Sequence, residues 1–241
     1  MQKDQSWINR AYEKLIAPGT IRFCGYAAMV VFFGFGISAI TVAVLLGPGF
    51  TIMNNWISDL GNHNFTPVPI LFDISFFGSG LLIIPINLYL RKNITPTPRI
   101  SEVLPASPRM RYRVMGLGFF LMIIGGISMM GLGIFSVDRD FGLHYIFAVL
   151  LTSSINLGII LIGLRITIME QPFVPKPYSY VLGVYGIVVP TIFGVVTPII
   201  FIVLPQFQKL MEWTSYLSTL PWMVTWNLFI LRHAETQVKR A

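Results

Sequence analysis

Seven residues stand out by type and spacing: Ser58, Asp59, His63, Asp73, Asp138, His144 and Glu212. They fall in three short stretches: NNWISDLGNHNFTPVP with Asp73 just beyond it, GIFSVDRDFGLH, and MEW. Carboxylates, hydroxyls and imidazoles in such clusters serve proton transfer, metal ligation or ligand binding. Asp59 and His63 lie four residues apart, so a helix there would set them on one face. With Asp138 and His144 they offer two carboxylates and two imidazoles, a donor set that suits zinc. The chain has no H-x-x-x-H or H-E-x-x-H run, and its single cysteine, Cys24, excludes a multi-cysteine site. No metal or other cofactor is therefore expected. Ser58, Asp59 and His63 supply the parts of a nucleophile and base, but no glycine elbow surrounds Ser58.

These residues must be positioned by apolar elements. Of the 241 residues, 54% are hydrophobic and 11% are charged, and mean hydropathy is +0.71. A soluble domain carries about 25% charged residues. A bilayer core about 30 Å thick is spanned by roughly 20 apolar residues. Six segments meet that length: Phe23 to Leu46, Val68 to Leu90, Val114 to Phe135, His144 to Leu164, Tyr180 to Leu204 and Trp213 to Leu231. The expectation is an all-α integral membrane six-helix bundle, multi-pass, over residues 23–231. Residues 1–22 form an N-terminal arm and 232–241 a tail. The opening MQKDQSWINRAYEKL is mixed and polar, and the first apolar run is too long for a signal peptide core.

Charge sets the orientation. Of 17 Lys and Arg residues, all but Arg139 and Lys209 fall on the side that holds the termini. That asymmetry places both termini in the cytoplasm. Asp59, Asp73, Asp138, Asp140 and Glu212 lie on the opposite side, so all seven candidates share the outer surface. The net charge of +7 flanks apolar spans and forms no aromatic-interleaved patch, which excludes nucleic acid as a partner. The basic loop after the second span, with prolines at 96, 98, 105 and 108, reads as irregular. Its arginines suit anionic headgroups as well as topology. Ser6 to Leu15 reads as a short interfacial helix anchored by Trp7, Tyr12 and Leu15. Asn64-Phe65-Thr66 is an outer-side glycosylation sequon, while Asn93-Ile94-Thr95 faces the cytoplasm.

Within the spans, the third is rich in glycine: Gly116, Gly118, Gly125, Gly126, Gly131 and Gly133. Pairs seven residues apart stack on one helix face and let a neighbour approach closely. That face packs the bundle or docks another membrane protein, and Leu132 is expected to face lipid. Pro190, Pro198 and Pro221 tend to kink the last two spans. Asp73 lies about 7 Å into the second span at 1.5 Å per residue, where water or Arg139 can satisfy it. Asp59 and His144 are expected at one depth and within reach of each other. The competing reading has Asp59 capping a local turn through the backbone of Gly61.

The stretch Trp56 to Gly61, W-I-S-D-L-G, followed by a proline-bearing stretch and an aromatic-rich span, resembles the damage-regulated autophagy modulator (DRAM) and FGF-receptor-activating-protein family. The likeness continues through G-x-G-I-F at Gly131 to Phe135, His144 with Ala148, and Glu212-Trp213. G-I-F-x-x-D with the following H-x-x-x-A also resembles a prokaryotic six-span family of unknown function. The charged run at Asp138, Arg139 and Asp140 departs from the eukaryotic members. The resemblance implies six helices, a role in membrane-lipid handling and no established catalytic mechanism. The leading expectation is an outer polar pocket of Ser58, Asp59, His63, Asp73, Asp138, His144 and Glu212 that recognises or organises membrane lipid. One alternative is a membrane-embedded lipid-remodelling hydrolase using Asp59, His63, Asp73 and His144. The other is an accessory subunit that docks through the glycine face of the third span.

Overall fold

The computed structural model describes residues 5–94, 106–168 and 174–240. Of the loop expected to be irregular, residues 95–105, with Pro96, Pro98, Arg99 and Pro105, lie outside them, whereas Pro108 falls within the first turn of a helix that begins at Ala106. The described residues are helices and turns, with no strand among them. The helices are α1 (Gln5–Leu15), α2 (Pro18–Met29), α3 (Gly36–Leu46), α4 (Ile70–Ile94), α5 (Ala106–Ile134), α6 (Phe141–Ile168), α7 (Tyr178–Val203) and α8 (Gln208–Arg240). A π-helical segment, Val30–Phe35, joins α2 to α3 into one rod. Ser75 on α4 donates its hydroxyl to the Phe32 carbonyl at 3.0 Å within that segment. A π-turn sets a carbonyl off the regular ladder, and here a neighbour's hydroxyl meets it.

Five stretches are long and apolar enough to cross a membrane: Pro18–Leu46, Ile70–Asn93, Arg113–Ile134, Phe141–Thr167 and Tyr178–Val203. The chain is an integral membrane protein on that composition. Helix α8 falls short of the same apolar level. Its apolar stretch is interrupted by Thr214, Ser215, Ser218, Thr219, Thr225 and Asn227. It also runs well past the expected Leu231, through Arg240. At the other extreme, α5 starts at Ala106, about two turns before the expected Val114. Helices α7 and α8 continue through Pro190, Pro198 and Pro221 without a break.

Each long helix packs on the next in sequence, and α8 closes against α2, so six rods form a ring. Glu13 of α1, Lys92 of α4 and His233 of α8 line one cavity, which places both described ends of the chain at one end of the ring. The opposite end carries the 47–69 loop. The interior is filled by two clusters. Towards the termini, Ile21, Phe119, Ile162, Leu182, Trp222 and Ile230 gather side chains from five helices. Towards the loop, Ala43, Phe50, Leu60, Phe72, Met129 and Trp213 form the second cluster. Leu132 belongs to this second cluster and is 5% exposed, so it does not face lipid as expected. Its helix face is turned inward by the glycines around it.

The glycines of α5 divide between two neighbours. A Cβ on Gly126 would sit 2.9 Å from the Gly80 carbonyl of α4, and one on Gly133 would sit 2.7 Å from the Asp73 carbonyl. Gly118 and Gly125 meet Ile162 and Ile155 of α6 instead, at 2.9 and 2.7 Å. Both stripes are filled from within the chain. This fits packing without a hydrophobic drive between helices, where small residues let backbones touch.

Candidate functional site

The loop between α3 and α4 opens with a tight turn at Gly49, whose φ of 85° is the left-handed region that glycine tolerates. It then forms a short 3-10 turn, Ile57–Gly61. Asp59 is the third residue of that turn. Its Oδ2 accepts the Trp56 backbone N–H at 2.8 Å and the Asn55 amide at 3.2 Å. The Asp59 N–H donates to the Trp56 carbonyl at 3.2 Å. Asp59 thus caps its own turn, through Trp56 and not through Gly61.

Helix α8 holds this turn down. Glu212 accepts the Ile57 N–H at 2.9 Å, Trp213 donates its indole N–H to the Asn55 carbonyl at 2.9 Å, and Lys209 reaches the Asn54 carbonyl at 2.5 Å. The Trp213 ring meets Phe50 edge-on at 6.5 Å, and Trp56 meets Phe201 of α7 at 5.9 Å. Asn55, only 5% exposed, is the centre of the arrangement, because its amide oxygen also accepts the Thr51 N–H at 3.1 Å. Sequence reasoning passed over Asn55. Its one signal was a second asparagine directly before an aromatic residue, which is weak.

The other half of the site lies over α4, α5 and α6. Arg139 donates to Asp73 at 2.5 Å and to the Ile134 carbonyl at 3.1 Å. This realises the pairing expected for Asp73. The second Asp73 oxygen, Oδ1, is buried without a hydrogen-bond partner. Asp138 accepts the Ser136 hydroxyl and, at 3.3 Å, the backbone N–H of His63. Partial burial pushes the Asp138 carboxyl up, but the Ser136 hydroxyl and the backbone N–H groups of His63 and Asp138 itself outweigh it. The net position is below the ordinary carboxylate value. Asp140 caps α6, with its Oδ1 accepting the Leu143 N–H at 2.9 Å.

His144 donates from Nδ1 to the Phe135 carbonyl at 2.8 Å. No hydrogen bond joins it to Asp59, so each of the expected partners closes on its own loop. The His63 side chain is exposed and Ser58 is half-buried. Among Asp59, His63, Asp73 and His144 no two side chains are hydrogen-bonded to each other. Among the described residues no group of three or more His, Cys, Asp or Glu side chains is placed to hold a metal ion. Asp59 and Glu212 hold the backbone at 56–57, while Asp73 is tied to Arg139 and Asp138 to the His63 backbone. No family model, curated protein or solved structure matches this chain.

Proposed function

We propose that this is a six-span membrane protein with cytoplasmic termini that holds a zwitterionic lipid headgroup at its outer face and does not turn it over. The reading treats α8 as the sixth span, because it completes the ring and runs 33 residues. The observation that carries the lipid assignment is the Asp73–Arg139 pair. The Arg139 side chain is 41% exposed while that of Asp73 is 5% exposed. Asp73 fixes the guanidinium from below, and the Ile134 carbonyl fixes it from the side. A guanidinium has five N–H donors, so others remain for a headgroup phosphate. The same loop presents Asp138 and Asp140, exposed carboxylates that attract an ammonium and repel a purely anionic headgroup.

The likeness of Trp56–Gly61 and Glu212-Trp213 to the DRAM and FGF-receptor-activating-protein family supports a lipid-handling role. The polar side chains at this end are engaged in holding the loop, which favours binding over catalysis.

The test is lipid retention by the full chain purified in mild detergent. Native mass spectrometry after adding phosphatidylethanolamine should show bound lipid on the wild type. Arg139→Gln should retain several-fold less, and Arg139→Lys should keep an intermediate amount, because lysine preserves charge without the planar fork. Undiminished retention by Arg139→Gln would remove the assignment.

A further inference from the structure

At the end that carries the termini, a cavity of about 470 Å³ opens between α1, α4 and α8. Its walls bear Glu13, Tyr89, Lys92, Asn93, His233 and Gln237. The chain crossing from α1 to α2, Ile16 to Pro18, adds an apolar edge. The volume falls in the range of roughly 300–1,000 Å³ typical of small-ligand sites.

Three observations define what fits. First, the lysine here is already engaged by an acid: Lys92 Nζ contacts both carboxylate oxygens of Glu13 at 2.6 Å. The two side chains are 41% and 60% exposed, and ion pairs so open to solvent hold weakly. Second, α2 and α8, which both border the cavity, carry further cations. Arg22 and Arg232 lie close enough to Glu235 to stabilise its charge, behind its own partner Lys239. Third, α1 presents Trp7, Ile8 and Leu15 outward, at 65%, 58% and 39% exposure. A short helix with aromatic and aliphatic side chains turned out and basic residues beside them lies in the plane of a bilayer interface. That sets the cavity at the depth of lipid headgroups.

We propose that this cavity takes the phosphate of an anionic lipid headgroup from the cytoplasmic leaflet, with Glu13 as the internal anion that the phosphate displaces from Lys92. The phosphate supplies more acceptor oxygens than a carboxylate. Lys92 and Gln237 provide donors, and Ile16 to Pro18 border the glycerol. Of the proposed function, the inference uses the cytoplasmic placement of the termini and not the outer site. Displacement of Glu13 would break the ion pair that ties α1 to α4, so occupancy and the position of α1 are linked.

The test again uses the full chain in mild detergent, with phosphatidylglycerol as probe. Phosphatidylcholine and soluble glycerol phosphate serve as the other arms. Wild type should retain phosphatidylglycerol over phosphatidylcholine. Lys92→Gln should weaken that retention about tenfold, the loss of one bond to a charged group, and Lys92→Arg should preserve it. Glu13→Gln should strengthen it several-fold, because the competing anion is gone. The opposite signs are decisive, since a purely structural ion pair predicts that both substitutions act alike. Equal weakening by Glu13→Gln and Lys92→Gln in folded, monodisperse protein would overturn the proposal. So would glycerol phosphate binding as tightly as phosphatidylglycerol, which would assign the cavity to a soluble phosphate ester. Lys92→Gln should leave phosphatidylethanolamine retention at the outer face unchanged, so the two sites fail independently.

Discussion

The two ends of the ring solve the same problem in opposite ways. At the loop end, charges are tied to one another or to the backbone: Asp59 to Trp56, Glu212 to Ile57, Asp73 to Arg139, Asp138 to the His63 backbone. At the termini end, Lys92 and Glu13 stand half in solvent beside an open cavity. Buried polar groups are costly unless paired, so the loop end has little freedom left. Exposed pairs contribute little and exchange readily, so the termini end keeps its freedom. The core beneath each end follows the same division. Below the termini, side chains from all six rods interlock around Trp222. Below the loop, helix α7 contributes nothing to the cluster, and its buried residues stop at Pro190. The loop itself, through Phe50, Ile57 and Leu60, fills the space. Fastening the loop is therefore part of completing the core there.

The largest expected effect tests whether the two ends share one support. Gly126 meets Gly80 backbone to backbone on the α4–α5 seam, with a Cβ only 2.9 Å from the Gly80 carbonyl. Neither side can retreat by rotating a side chain. Gly126→Leu should cost about 3 kcal/mol or more, at the upper end of overpacking effects, and both ends should lose order together. Leu117→Ala on the same helix should be nearly neutral, because Leu117 is 50% exposed and lipid refills the space. Melting in detergent, followed with a probe at each end, distinguishes the outcomes. Equal stability of the two variants would show that the seam is not a support. Loss at one end alone would show that the ends fold as separate units.

A smaller effect sharpens the contrast. Glu212→Ala leaves the Ile57 N–H without its acceptor, and Ile57 is buried. The expected cost is about 1–3 kcal/mol, confined to the loop. Amide exchange should quicken at 55–61 while the amides around Trp222 remain protected. A global acceleration would mean that the loop is as essential to the ring as the seam is.

Much of this contrast was legible in the sequence, for a physical reason that also explains what was not. Asp73 and Arg139 were readable because a charge inside a span needs a partner and Arg139 was one of two cations on that side. Glu212 and Trp213 were readable as a motif, and both reach the 54–57 backbone region. Asp59 and His144, expected within reach of each other, share no direct hydrogen bond, because each side chain has a partner close by in the chain. Asp59 stands three residues after Trp56, the spacing at which a carboxylate closes back on a turn, and chain connectivity makes that local bond cheap to form. Leu132 was misplaced because alternating glycine stripes gave α5 two packed faces where one was assumed. The six-helix count came from apolar runs of spanning length. Helix α8 is the least apolar of the six, since it contributes Trp213, Trp222 and Trp226 to the interior while Thr and Ser punctuate the rest. The cavity near Lys92 had no sequence signal, because it depends on α1, α4 and α8 meeting.

The smallest effect probes the loop end by pH. The Asp138 carboxyl sits below its ordinary value, held there by the Ser136 hydroxyl and the His63 N–H against partial burial. A depressed carboxyl stabilises the fold while it is ionised, which holds at neutral pH and down to its ordinary value of 3.8. That stabilisation is lost as the pH falls further, through the depressed value in the folded state. The side chain is mostly solvent-exposed, so screening reduces the contribution to a fraction of what the shift alone implies. Asp138→Asn should therefore lower the melting temperature slightly at pH 7. It should also flatten the decline between pH 4 and pH 2.5, since asparagine does not titrate. At the other end, Glu13→Gln should change the melting temperature at pH 7 even less, because its pair with Lys92 stands in solvent at 41% and 60% exposure. If Glu13→Gln lowered stability more than Asp138→Asn did, the open end would be the more tightly held of the two. The assignment of freedom to the termini end would then be reversed.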